Sequence, residues 1–94
     1  MVKKWESFQK DEAKTAYNAG PLFYYDVKAG AVLADHTHNE SETLWITEGK
    51  GSMLIGNDAQ DFEAPCIIEV PSGVYHRFTA ETDVKFIEQR HKPE

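Results

Sequence analysis

Short runs of alternating apolar and polar residues fill the chain after about residue 20, separated by Gly, Pro or Asn-Asp. A two-residue alternation is the period of a strand with one buried face, and closely spaced turn residues are typical of antiparallel hairpins. The pattern predicts strands at residues 22–27, 31–35, 43–47, 52–55, 60–63, 66–70, 76–79 and 84–89. Strands of this number and length favour an all-β fold, either a small β-barrel or a jelly roll.

The first twenty residues do not show this alternation. Residues 4–17 contain Glu, Lys and Ala, with Trp5 and Phe8 three positions apart, which predicts a short helix or an irregular arm. We expect one domain over residues 1–94, with this segment (1–20) covering a barrel (21–90) and a tail (91–94) in which His91 is solvated. Residues 85–88, which include Lys and Glu, are consistent with an exposed edge strand.

Turn residues predict two hairpins, and strand parity predicts which side chains near Glu42 are buried. The segments 49–51 (Gly-Lys-Gly) and 56–58 (Gly-Asn-Asp) supply residues that tolerate the positive φ of tight hairpins. Leu44 and Ile46 share the parity of Glu42, so we expect apolar side chains directly beneath its carboxylate. Trp45 and Thr47 should face the other way.

Three histidines and one carboxylate are placed where a metal site could form. His36, His38 and Glu42 have the same parity, so an extended segment would direct them to one face, and His76 would arrive from another strand. Imidazole nitrogen and carboxylate oxygen suit iron, manganese, cobalt, nickel, copper or zinc rather than calcium. The alternative interpretation is that the polar segment 35–42 is a solvated loop.

The spacing of the first set resembles a motif of the cupins, which are small metal-binding β-barrels. That motif reads Gly, five residues, His-x-His, three or four residues, Glu, six residues, Gly. The chain has Gly30, His36, His38, Glu42 and Gly49 at each of these spacings.

The second cupin motif is matched in part. Pro71, Gly73 and His76 agree with Pro-x-Gly, two residues, His. Pro65 stands where a leading Gly is expected and Ala80 where an Asn is expected, and these departures affect the expected loop shape more than metal binding. The resemblance covers about residues 20 to 90 and implies a metal bound by His36, His38, Glu42 and His76.

The resemblance also implies a function. A six-coordinate ion on these four ligands keeps about two positions open for water or substrate. We therefore expect a metal-dependent enzyme that acts on a small polar metabolite, such as a sugar derivative or keto acid, with isomerase, tautomerase or dioxygenase chemistry. The alternatives are a non-catalytic module that binds metal or metabolite, and a barrel with a structural metal. By analogy with small cupins we expect a homodimer.

No residue is assigned as the catalytic base. Glu40, Glu69, Glu88 and His91 are only nominal candidates, because exposed carboxylates are usually just solvated. Four aromatic residues could reach the barrel cavity, although core packing is the commoner role for such side chains: Tyr24, Tyr25, Phe78 and Phe86. Tyr75 and Arg77 have the opposite parity to His76 and should lie outside the barrel.

Composition narrows the range of partners. The 94 residues carry a formal charge of −6 without a cluster of Lys or Arg, which disfavours nucleic acid and anionic membrane surfaces. No apolar run approaches the roughly 20 residues of a membrane span, and no signal-peptide pattern follows Met1, so we expect a cytoplasmic protein. The single Cys66 cannot form an internal disulfide and is expected to pack in the core.

Overall fold

The computed structural model describes residues 1–34 and 39–92, and over these residues the chain forms strands and no helix. No helix that could span a membrane is therefore found in the described part of the chain. The strands are β1 (Glu6–Lys10), β2 (Lys14–Ala19), β3 (Leu22–Val27), β4 (Val32–Ala34), β5 (Ser41–Glu48), β6 (Lys50–Ile55), β7 (Asp58–Glu63), β8 (Cys66–Val70), β9 (His76–Ala80) and β10 (Val84–His91). The all-β prediction is confirmed.

The strands form two antiparallel sheets. The larger sheet has the order β1-β2-β3-β10-β5-β8, and the smaller has the order β4-β9-β6-β7. From β3 onward the chain passes repeatedly from one sheet to the other, so that strands distant in sequence become neighbours. This arrangement is compatible with the predicted jelly roll. Closure of the two sheets into a barrel stays a prediction.

The prediction of a helix or irregular arm in residues 4–17 is wrong. β1 and β2 form an antiparallel hairpin with a bulge near Phe8, and β2 pairs along its whole length with β3. The side chain of Asp11 fixes the turn between them, because its Oδ1 accepts hydrogen bonds from the backbone N–H groups of Ala13 (2.8 Å) and Lys14 (2.9 Å). These bonds lower the pKa of the Asp11 carboxyl.

Two predictions at the end of the chain are also wrong. His91 is the last residue of β10, where it lies opposite Ser41, and its Nε2 is 2.9 Å from the Thr43 hydroxyl. It is therefore part of the sheet and not of a solvated tail. Residues 85–88 are not at an edge, because β10 lies between β3 and β5.

The core lies between the two sheets and follows the predicted parity. Glu42, Leu44 and Ile46 are buried, whereas Trp45 is half-buried on the opposite side of β5 and Thr47 is exposed. The sheets meet where the ring of Phe78 on β9 lies 5.0 Å from that of Phe86 on β10. Buried apolar side chains of both sheets complete this core: Ala16, Tyr25, Val27, Met53, Val70, Ala80 and Val84.

Cys66 and Tyr25 lie on the core side of the larger sheet, and Tyr24 lies on its other side. Cys66 is partly buried against the core, and burial raises the pKa of its thiol, in agreement with a packing role. Tyr25 is buried and its ring stacks on Phe86 with a centroid distance of 4.9 Å. Tyr24 faces the other way, where its ring lies 6.0 Å from that of Tyr17.

Two glycines of the first motif have positive φ, and they lie in different structural surroundings. Gly30 (φ 86°) donates its N–H to the Ala80 carbonyl at 2.8 Å, and a Cβ there would meet open space. Gly49 (φ 95°) lies against the backbone carbonyl of Asp83, which a Cβ would strike. The positive φ predicted for the segments 49–51 and 56–58 is found at Gly49 and Gly56, whereas Gly51 does not have positive φ and is packed against the Thr79 carbonyl.

We expect Gly49→Ala to destabilise the protein more than Gly30→Ala. Left-handed backbone strain alone should cost Gly30→Ala about 1–2 kcal/mol. Gly49→Ala adds a collision with backbone that cannot rotate away, so its loss should reach about 3 kcal/mol or more. Denaturant unfolding of both variants measures the difference. Equal losses would mean that the Asp83 carbonyl yields to the added methyl group.

Candidate metal centre

Glu42 on β5 and His76 on β9 come from different sheets and meet in the interior. The Glu42 Oε2 atom lies 3.4 Å from His76 Nε2, and the two side chains are 0% and 8% exposed. Ligand atoms bound about 2.0–2.2 Å from one ion are themselves about 3 Å apart or more, so this separation is compatible with both atoms holding the same ion. The donor types also fit a first-row transition metal.

The second ring nitrogen of His76 has a fixed neighbour. Nδ1 lies 3.3 Å from the backbone carbonyl oxygen of Val74. A proton on Nδ1 can be donated to that oxygen, which leaves the Nε2 lone pair directed towards Glu42. Metal-binding histidines commonly have their other ring nitrogen oriented in this way.

The other two predicted ligands, His36 and His38, lie outside the described residues. Within residues 1–34 and 39–92, no three His, Cys, Asp or Glu side chains are grouped so that they could hold a metal ion. The geometry thus brings together Glu42 and His76, and the four-residue ligand set stays a prediction.

The residues around His76 and the second motif behave largely as predicted. Tyr75 is 42% exposed and Arg77 is also exposed, which confirms that both point away from the interior. Ala80, at the position of the expected Asn, is buried and its N–H donates to the Ala31 carbonyl at 2.9 Å. The peptide bond before Pro65, the other departure, is cis.

Glu88 is the functional candidate that the sequence underrated. It is buried on β10 beside Glu42, and burial, followed by the negative charge of Glu42, raises its pKa to about 7. Arg90 opposes this shift by donating from Nε to Glu88 Oε2 at 3.0 Å. Glu88 shares the inward parity of Val84 and Phe86, and this pattern was the sequence signal for its burial.

A cavity of about 210 Å³ lies beside this group, between the sheets. Its wall combines apolar and aromatic side chains with a few polar ones: Phe8, Gln9, Lys14, Tyr25, Leu33, Ala34, Leu44, Met53, His76, Phe78, Phe86, Glu88 and Arg90. Three of the four aromatic residues singled out in the sequence contribute to it, and Tyr24 does not. Drug-sized ligands occupy about 300–1,000 Å³, so this cavity suits a smaller molecule.

The burial of Tyr25 leads to a prediction for alkaline pH. Burial, with the nearby charge of Glu88, raises the pKa of its phenol from 10.0 to about 12. A raised pKa means that the native state binds the phenol proton more tightly than the unfolded state does. The contribution of this proton to the free energy of unfolding is therefore complete below pH 10 and is lost between about pH 10 and 12. Tyr25→Phe should remove this loss and delete one late phase from the phenolate absorbance titration.

Tyr75→Phe is the matched control, since the Tyr75 ring is 42% exposed and lies outside the cavity. The late phase of the absorbance titration should survive in this variant, and circular dichroism at each pH shows whether the fold is intact. A late phase that persists in Tyr25→Phe would assign it to another tyrosine and contradict the prediction.

Comparison with known structures supports the fold. Salicylate 1,2-dioxygenase from Pseudaminobacter salicylatoxidans superposes with a TM-score of 0.70 at 22% identity, over 73% of this chain and 20% of that enzyme. The plu4264 protein from Photorhabdus luminescens superposes with a TM-score of 0.77 at 16% identity, over 98% of this chain and 86% of that protein.

Two acireductone dioxygenases are related in sequence. The enzyme from Phaeosphaeria nodorum is 31% identical over 62 residues, which are 61% of this chain and 35% of that enzyme. The enzyme from Granulibacter bethesdensis is 35% identical over 52 residues, which are 51% of this chain and 29% of that enzyme. The chain thus spans about a third of the length of these relatives.

The family itself is established over most of the chain. The sequence model of the cupin domain matches residues 11–88, a range that begins in the β1–β2 turn and extends into β10. Together with the two antiparallel sheets and the paired motif residues Glu42 and His76, this match shows that the chain belongs to the cupin family.

Proposed function

We propose that this cupin is a metal-dependent enzyme with dioxygenase-type chemistry on a small polar metabolite. The observation that carries the proposal is the meeting of Glu42 and His76, buried and 3.4 Å apart, beside a cavity of metabolite size. His36 and His38 would complete the ligand set by the spacing of the first motif. The metal would be iron, manganese, nickel, zinc, cobalt or copper.

The side chains around the cavity have separable tasks in this proposal. Glu42 and His76 hold the ion, which when bound supplies Lewis-acid or redox chemistry to the reaction. The walls formed by Leu44, Phe78 and Phe86 exclude water from the reacting molecule. Arg90 holds Glu88 in place through the 3.0 Å hydrogen bond from its Nε atom.

The relatives favour oxidation by dioxygen over the isomerase alternative. Acireductone dioxygenase and salicylate 1,2-dioxygenase are both named for this type of reaction. The relation covers 35% and 20% of those two enzymes, so it supports the reaction type and leaves the substrate open.

Metal binding is tested by comparing two histidine variants. Elemental analysis of the purified protein should give close to one transition-metal ion per chain. His76→Ala should lose most of this metal, because the remaining ligands no longer surround the ion. His91→Ala should keep it, because His91 contacts Thr43 and does not line the cavity. Metal retained by His76→Ala, or absent from the reconstituted wild type, would refute the proposed centre.

Oxygen consumption tests the reaction. Acireductone, salicylate and gentisate are the first compounds to try, each with the metal-loaded protein in an oxygen electrode. We expect uptake of dioxygen with at least one of them and none with His76→Ala. A protein that binds metal and these compounds but turns over none would support the alternative of a non-catalytic binding module.

The third possibility, a structural metal, predicts unfolding when the ion is removed. Chelation should then lower the melting temperature sharply, since binding free energy would be folding free energy. A catalytic centre predicts a stripped protein that stays folded and regains activity on reloading.

A homodimer and a cytoplasmic location stay predictions. The outer face of the larger sheet offers a dimer contact, because Ile67, opposite Trp45 on the neighbouring strand, is 61% exposed.

A further inference from the structure

Lys14 points into the cavity from the β1–β2 hairpin. It shares the inward parity of the buried Ala16, and it lies opposite Val27 on β3. Its Nζ atom is 5.8 Å from the centroid of the Tyr25 ring. Among the described residues, no carboxylate comes within the 4.0 Å of an ion pair with it.

The other charged groups of the cavity wall do not offset Lys14. Among the described residues of the wall, Lys14 and Arg90 are cationic, and the one carboxylate, Glu88, is hydrogen-bonded by Arg90. Asp11 is adjacent in the turn and attracts Lys14 electrostatically, but it does not line the cavity. Lys14 thus brings a positive charge to the cavity wall in a chain whose net charge is −6.

Aromatic rings separate Lys14 from the metal ligands. In the sheet register Lys14 lies beside Val27, which in turn lies beside Val84, so the three residues form one row across the strands. Glu88 lies four residues further along β10, so its backbone is about 13 Å from that of Val84 at about 3.3 Å per residue. The stacked rings of Tyr25 and Phe86 occupy the row between them. A molecule that reaches from Lys14 towards Glu88 would therefore pass along aromatic side chains.

We propose that the cavity binds a flat, conjugated monoanion, with Lys14 receiving its carboxylate at the end remote from Glu42 and His76. The ammonium group and the carboxylate would form a charge-assisted contact that is screened from water by the aromatic walls. The aromatic side chains that line the cavity, among them Tyr25, Phe78 and Phe86, would pack against the conjugated body, and the small volume of the cavity would disfavour a puckered one. Lys14 is thus a specificity-determining residue. This inference rests on the proposed function only in assigning a reaction to the end of the cavity near Glu42 and His76.

Calorimetric titration with three small probes tests the charge and the shape separately. Benzoate is flat and anionic, benzamide is flat and neutral, and cyclohexanecarboxylate is anionic and puckered. We expect benzoate to bind at least about tenfold more tightly than benzamide, as a hydrogen bond to a charged group typically requires. Benzoate should also bind more tightly than cyclohexanecarboxylate, because the puckered ring is thicker than the flat one. The titrations are made on the protein as purified and after chelation, because a carboxylate can also bind a metal ion.

Variants at position 14 identify the group responsible. Lys14→Met should weaken benzoate to the level of benzamide and leave benzamide unchanged, whereas Lys14→Arg should retain most of the affinity for benzoate. Lys85→Met is the matched control, because Lys85 lies on the opposite face of the same sheet. Thermal melting of each variant confirms folding, and Lys14→Gln replaces Lys14→Met if the latter does not fold.

The outcomes separate this inference from the proposed function. Equal affinity for benzoate and benzamide, no detectable benzoate binding, or full benzoate affinity in Lys14→Met would each overturn the role of Lys14. Benzoate affinity that depends on Lys14 in a protein without metal or oxygen uptake would support the anion site and refute the dioxygenase proposal instead.

Discussion

The meeting of Glu42 and His76 across the two sheets is the constraint that the interior has to accommodate. A carboxylate and an imidazole that are almost fully buried lose their hydration, and in a chain of 94 residues few other contacts can offset that cost. The strands that carry them are accordingly apolar elsewhere on the same face: Leu44 and Ile46 follow Glu42, and Phe78 follows His76. The polar pair is thus held in place by packing on both sides.

The same constraint explains the charge of Glu88 and the position of Arg90. A second carboxylate beside Glu42 is poorly hydrated and is also repelled by it, so its pKa rises to about 7. Arg90 reduces the penalty from the same strand, and its guanidinium group lies 4.1 Å from the centroid of the Phe23 ring. Polar groups in this interior are therefore arranged in contact with one another, and the aromatic rings exclude water around them.

Most of the fold was predictable because its signals are local. Strands β3 to β10 show the alternation of period two, and the parity of Glu42, Leu44 and Ile46 was sufficient to identify the buried face of β5. The neighbours of a strand were not predictable in this way. The charges of residues 85–88 indicate an edge strand, yet β10 lies between β3 and β5, and these partners are too far away in sequence for a local pattern to reveal them. Glu88 was underrated for the same reason.

The β1–β2 hairpin was the least predictable part of the chain, and it contributes side chains to the cavity from outside the two motifs. All five residues of β1 are exposed, so no buried face imposes an alternating pattern on the sequence, and Asp11 forms its turn without a glycine. Yet this hairpin supplies Phe8, Gln9 and Lys14 to the cavity wall. In this cupin the motif residues Glu42 and His76 meet in the interior, whereas a segment outside both motifs contributes Lys14 to the cavity wall.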